Sequence, residues 1–261
     1  MVTSDPLEIV TDLAHGGRWT SLRAGGREWL WRRDGTGRES VSPGDAFVDA
    51  GGLEECVPTV RGTPDHGDAW SRPWMREDDG TESVQCERFS LSRIIRYGGE
   101  VDYVLTADPG FRFVWAAHAL LDLSASATVQ LPEGASTRLY PDNGPWVEGS
   151  WPAPRGSRLD RFGPDDGTAV GAVVDTDRCC VHDGADRLAF ALEADGQPLS
   201  IALWRNLGGF PATDPYRSTG VEPMLGRVFG LAEAGPGDAA RVPQSGELRW
   251  RLTLAPDCNC P

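Results

Sequence analysis

Over much of its length this chain alternates apolar and polar residues with a period of two, in short segments separated by clusters of Gly, Pro and Asp. Alternation places successive side chains on opposite faces of a strand, whereas an amphipathic helix needs a period near 3.6. Helical periodicity is scarce, so the chain is bound to an all-β architecture. Strands are expected at 19–22, 28–31, 83–90, 92–97, 101–107, 111–123, 127–131, 169–175, 188–193, 199–205 and 248–254. Turns such as Asp108-Pro109-Gly110 and Ala194-Asp195-Gly196-Gln197-Pro198 join neighbours at hairpin spacing. The expected fold is a large antiparallel β-sandwich, and 261 residues is a length that one all-β unit reaches. A single domain over residues 1–261 is therefore expected. The Gly/Pro/Asp-rich stretches 34–52 and 142–166 read as long loops that wall a site, not as linkers.

Composition removes several functions. A formal net charge of -14 repels phosphate backbones, so nucleic acid is not an expected partner. No apolar run approaches the roughly 18 residues a membrane span requires, and Met1-Val2-Thr3-Ser4-Asp5-Pro6 lacks the basic and apolar regions of a secretory signal. No membrane partner and a cytoplasmic location are expected. All 25 basic residues are Arg. Without lysine the chain cannot form a Schiff base, anchor pyridoxal phosphate or supply the nucleotide-binding lysine of a P-loop or kinase. Cys56, Cys86, Cys179, Cys180, Cys258 and Cys260 do not form paired C-x-x-C units, and neither a disulfide framework nor a metal site is expected of them. Cys179-Cys180-Val181-His182 and Cys258-Asn259-Cys260 are the nearest approach to a soft-metal cluster.

The most regular segment runs from Phe111 to His118. Alternation puts Phe111, Phe113, Trp115 and Ala117 on one face, the expected core, and Arg112, Val114, Ala116 and His118 on the other. His118 is then either a structural imidazole between sheets or a functional one lining a concave surface. Pro64-Asp65-His66-Gly67-Asp68-Ala69-Trp70 packs turn formers around His66, with Trp70 and Trp74 close behind. An indole beside a polar imidazole suits a sugar, which offers C–H faces for stacking and hydroxyls at its edge. Trp204 and Asn206, on one face at the end of a strand, repeat that pairing. Tyr216 follows, then Gly220-Val221-Glu222-Pro223, where the proline biases Glu222 to an extended backbone. Taken alone, Glu222 reads as a solvated surface carboxylate.

In order along the chain, Gly16-Gly17-Arg18, Gly51-Gly52-Leu53-Glu54-Glu55-Cys56-Val57-Pro58, His66-Gly67, His118, Glu222-Pro223 and Gly246-Glu247 resemble the galactose mutarotase-like (aldose 1-epimerase) family. The resemblance implies the large sandwich of that family, the supersandwich. It also implies interconversion of the α and β anomers of a free hexose, with no cofactor and no metal. Glu222 and His118 are then the catalytic base and acid, and His66, Trp70, Trp204, Asn206, Glu55 and Tyr216 the substrate-binding residues. The expected partner is a small-molecule sugar.

Two other readings stay open on the sequence. In a hexose-6-phosphate 1-epimerase, Arg61, Arg72, Arg76, Arg217 and Arg227 would clamp the phosphate. A non-catalytic carbohydrate-binding or sensing domain would keep the tryptophans and tolerate loss of Glu222 or His118. A glycoside hydrolase would need Glu222 paired with Asp65 or Glu54 across the scissile bond.

Overall fold

The structure, a computed structural model, describes residues 7–141 and 144–257. Among these residues, strands form a ten-stranded sheet, an eight-stranded sheet and a two-stranded ladder, joined by turns and short 3-10 helices, and there is no α-helix. Every strand pairing is antiparallel. No helix of the described residues is long and apolar enough to cross a membrane.

The middle of the larger sheet positions everything that follows. Leu53–Cys56, Trp115–Leu121, Tyr216–Leu225 and Leu199–Phe210 lie side by side in that order. All seven residues of Trp115–Leu121 are buried, because both faces of the strand are covered. Trp115, Ala117, Ala119 and Leu121 join the main core between the sheets, with Phe111 and Phe113. Val114 and Ala116 face the other way, into a smaller apolar cluster with Cys56, Ala202 and Met224. The expected division of faces therefore holds. The expected single strand breaks at Val114: Arg112–Phe113 pairs with Ala240–Arg241 in the two-stranded ladder, and the large sheet begins at Trp115.

Other boundaries shift as well. The break expected between strands 83–90 and 92–97 lies instead at residues 86–88, where the Cys86 N–H donates to the Phe89 carbonyl, and Phe89–Ile95 runs unbroken through Leu91. Strands Leu53–Cys56, Ser136–Tyr140, Arg178–Asp183 and Tyr216–Leu225 carry too many buried polar or small residues to alternate legibly, and Glu8–Asp12 is an edge strand with no buried residue. The stretch 142–166 contains a strand, Val147–Ser150, which pairs with Ser136–Tyr140, so it is not all loop. Cys180 is disulfide-bonded, contrary to the expectation that the cysteines form no disulfide framework, whereas Cys56 and Cys86 are free thiols. Cys258-Asn259-Cys260 lies outside the described residues.

The core between the sheets holds an ionic network. Arg93 points inward from the row Phe89, Leu91, Arg93 and is wholly buried. It donates to Glu55 Oε1 at 2.7 Å and to Glu82 Oε2 at 2.9 Å, and also to the Gly17 carbonyl. Glu55, itself 0% exposed, accepts two further bonds, from the Tyr103 hydroxyl at 2.9 Å and from Trp115 Nε1 at 2.7 Å. Trp74 lies over the guanidinium at 4.5 Å. Burial alone would lower the Arg93 pKa, yet Glu55 and Glu82 hold it above its usual value. Here the sequence expectation fails. Glu55 was expected to contact substrate, but its carboxylate faces the interior and its oxygens are taken by Arg93, Tyr103 and Trp115. Removing one partner of such a network strands a charge in a dry core. Glu55→Ala is therefore expected to cost about 3–5 kcal/mol of unfolding free energy, measured by urea denaturation; a cost within the error of the measurement would contradict this role.

Candidate functional site

The outer face of the large sheet carries the candidate site. Glu54, one residue from Glu55, points outward opposite His118. On the other side of His118, the register that sets Ala116 against Met224 and Leu120 against Gly220 places Glu222 across from it. His118 Nε2 and Glu222 Oε1 are 3.8 Å apart. Glu222 fits because residue 220 is glycine: a Cβ there would stand 2.5 Å from Glu222 Oε1 and 3.1 Å from the Trp204 Cβ. Glu222 is 1% exposed, and its Oε2 has no hydrogen-bond partner among the described residues. Burial pushes the Glu222 pKa up, only partly offset by His118. Burial pushes the His118 pKa down, against the pull of Glu222. The two shifts bring an acid and a base toward each other, which suits a pair that trades one proton.

His66 enters from the turn after Leu53–Cys56. Its backbone is left-handed, at φ 57°, and it is followed by Gly67, where a Cβ would lie 2.1 Å from the Val57 carbonyl oxygen. A non-glycine residue held there is strained, as is common where a side chain must be aimed. The result is an imidazole 5.1 Å from that of His118, edge to face, with Nδ1 on Asp65 Oδ1 at 2.8 Å.

Behind His118, Glu54 is gripped by Arg38 through Nε at 3.0 Å and Nη2 at 2.8 Å. Burial pushes the Glu54 carboxyl up to about 7 against the attraction of Arg38. Arg18 Nε lies 4.0 Å from the same carboxylate. Arg38 Nη1 and Arg18 Nε are buried without hydrogen-bond partners among the described residues, as is Glu222 Oε2. Gly16 keeps this corner tight, since a Cβ there would stand 2.0 Å from the Trp70 carbonyl oxygen, which itself accepts from Arg38 Nη2. Buried polar atoms left open in one place need water or a polar ligand.

The structure thus brings His118, Glu222 and His66 together, with Trp204 half-buried on the same face. Tyr216 sits at the rim, stacked on Trp31 at 5.5 Å, with its hydroxyl on Asp49 Oδ2 at 2.6 Å. Two expected sugar contacts go elsewhere. Asn206 is fully buried: its Nδ2 donates to the Phe210 and Tyr216 carbonyls and its Oδ1 accepts from the Gly209 and Phe210 N–H groups, so it staples the bulged hairpin between the two strands. Trp70 is 1% exposed, with Nε1 on the Asp65 carbonyl and Phe47 against its ring, and offers no free face for stacking.

Four of the five arginines named for a phosphate clamp have separate partners, and Arg72 Nε is buried with none among the described residues. Arg76 bonds Glu82, Arg217 bonds Asp165, Arg227 pairs with Asp175, and Arg61 lies over Tyr140 and Phe229. The second carboxylate of a hydrolase is also engaged, Glu54 by Arg38 and Asp65 by His66. Among the described residues no group of three or more His, Cys, Asp or Glu is placed to hold a metal ion. Clefts of about 740, 960 and 480 Å³ open elsewhere, and none includes His118 or Glu222. Sequence reasoning missed Arg38 and Phe47, whose loop has no periodicity, and gave Glu54 no role as the partner of Arg38.

No protein-family model and no curated protein sequence matches this chain. Solved structures do. A protein from Escherichia coli K12 proposed to be an aldose 1-epimerase superposes with a TM-score of 0.68 at 13% identity, covering 97% of this chain and 98% of that one. A proposed mutarotase from Salmonella typhimurium gives 0.64 at 17% identity, covering 97% and 88%. A galactose mutarotase related enzyme from Lactobacillus acidophilus gives 0.63 at 11%, covering 96% and 95%. This chain has the galactose mutarotase-like β-sandwich fold.

The open carboxylate has a thermodynamic signature. A carboxyl whose pKa is raised on folding adds stability below its unfolded value, near 4.5, and loses that contribution as pH rises through the folded value. Glu222→Gln cannot ionise. The variant is expected to gain stability relative to wild type as pH rises above that unfolded value. Denaturation midpoints at pH values below and above it check this, and a pH-independent difference would contradict it.

Proposed function

We propose that this protein is an aldose 1-epimerase acting on a free hexose. The observation that carries the reading is the pair of His118 Nε2 and Glu222 Oε1, 3.8 Å apart and almost wholly buried. The anomeric hydroxyl and the ring oxygen of a hexose hang on one carbon, so an acid and a base serving them must be neighbours. In the forward step the Glu222 carboxylate takes the proton of the anomeric hydroxyl. Protonated His118 delivers a proton to the ring oxygen, the bond from that oxygen to the anomeric carbon breaks, and an aldehyde forms. Rotation about the next carbon–carbon bond presents the other face, and the ring recloses with acid and base exchanging roles. Burial makes Glu222 a stronger base and His118 a stronger acid than in water. His66 hydrogen-bonds a sugar oxygen, and Trp204 and Tyr216 supply the aromatic edge.

Each proton has a donor and an acceptor in the site, so the sequence of steps calls on no cofactor or metal. The dispersal of Arg76, Arg217 and Arg227 among separate carboxylates supports a free sugar over a phosphorylated one. A sugar-binding domain of the same fold is the other reading, since fold does not set function.

Equilibration of fresh α-D-glucose, α-D-galactose and glucose 6-phosphate, followed by polarimetry or NMR, tests the proposal. Wild type is expected to accelerate a free hexose, and Glu222→Gln and His118→Ala to lose at least about 100-fold of that acceleration. Sugar binding without acceleration by wild type would replace the epimerase with the binding domain.

A further inference from the structure

Phe47 lies where a hexose would have to lie. Its ring stacks on His66 with centroids 3.7 Å apart and planes 16° from parallel. It meets His118 edge-on at 5.7 Å and Trp70 edge-on at 5.0 Å. Glu222 is 1% and His118 8% exposed, so the pair is nearly shut off from bulk solvent. A group that must exchange protons with a dissolved sugar cannot work in that state.

The cover is tied to one of the histidines it covers. The Phe47 N–H donates to Asp65 Oδ2 at 3.0 Å, while Oδ1 of the same carboxylate holds His66 Nδ1 at 2.8 Å. Burial disfavours the Asp65 anion, yet these bonds and the His66 charge hold its pKa below the usual range. On the other side of Phe47, Asp49 accepts from Tyr216 and from the Gly51 N–H, which anchors the far end of the loop. Residues 42–46 before it are exposed and close on themselves, with the Ser42 N–H on Asp45 Oδ2. The turn that carries His66 is packed closely against Val57 through Gly67, more tightly than the exposed loop before Phe47.

We propose that Asp65 is a positioning residue that latches Phe47 over His66 and His118, and that a sugar enters only when Phe47 leaves. The proposal rests on the epimerase reading for the identity of the ligand alone. The latch can be examined without any sugar. The cost of closure falls on apparent affinity, which drops by the fraction of molecules that are open.

Diethyl pyrocarbonate labels accessible neutral imidazoles, and peptide mass spectrometry reads each of the four histidines of the full chain separately. Wild-type His118 is expected to react slowly relative to His15. Phe47→Ala and Asp65→Ala are each expected to speed its labelling by about tenfold, as when an open fraction of about a tenth becomes the whole, with His15 unchanged. Asp65→Asn, which keeps an acceptor for the Phe47 N–H, is expected to restore slow labelling. In mutarotation assays the hexose KM falls in Phe47→Ala. Unchanged labelling rates in both alanine variants would overturn the latch. Faster labelling in a protein that turns over no sugar would uphold the latch and discard the epimerase.

Discussion

The alternation of side chains across the central strands governs both halves of this molecule. Glu54 and Glu55 are neighbours in sequence and chemically identical, yet the pleat sends one to Arg38 and His118 and the other to Arg93, Tyr103 and Trp115. The same rule sends Trp115 and Ala117 to the core while His118 looks outward. A slip of one residue in Leu53–Cys56 or Trp115–Leu121 would bring every interior group to the site and every site group to the interior. Register is held by charge as well as by apolar packing, because Glu55 finds its partners on the opposite sheet only in the register observed.

What could be read from the sequence was what depends on that period. The all-β class, the core face of the central segment and the outward direction of His118 follow from alternation within one strand. Glu222 needed the family resemblance, since a glutamate before proline looks like a surface residue until Gly220 is seen to clear its space. Glu55, Trp70 and Asn206 were misjudged for a common reason. Their side chains are satisfied by groups that no period announces: for Glu55 groups distant in sequence, for Trp70 the Asp65 carbonyl of its own turn and the Phe47 ring, and for Asn206 a hairpin bulge. Arg38 and Phe47 come from a stretch without periodicity, where sequence gives composition and nothing about direction.

Charge is handled in opposite ways on the two faces of the sheet. In the interior, Glu55 and Arg93 are matched bond for bond. At the site, Glu222 keeps an oxygen with nothing bound to it among the described residues, and Arg38 and Arg18 keep open nitrogens. Unpaired burial is costly, and proteins retain it where function uses it. Trp19 Nε1 and Trp250 Nε1 are also left open in the interior, but the Glu222 carboxylate is the open acceptor among the described residues, and it stands beside His118.

The interior network also sets how this fold responds to heat. Taking ions out of water costs less as temperature rises, because their hydration is entropically unfavourable, whereas apolar burial per unit area levels off. The Arg93 cluster therefore supplies a growing share of the cohesion between the two sheets on warming. On the outer face the Arg38–Glu54 pair supports the start of the loop in the same way, but residues 42–46, which lead to Phe47, carry no ion pair among the described residues. Heating should open the rim of the sandwich well before its middle, so that the protein loses the shape of its binding surface while its sheets are still joined.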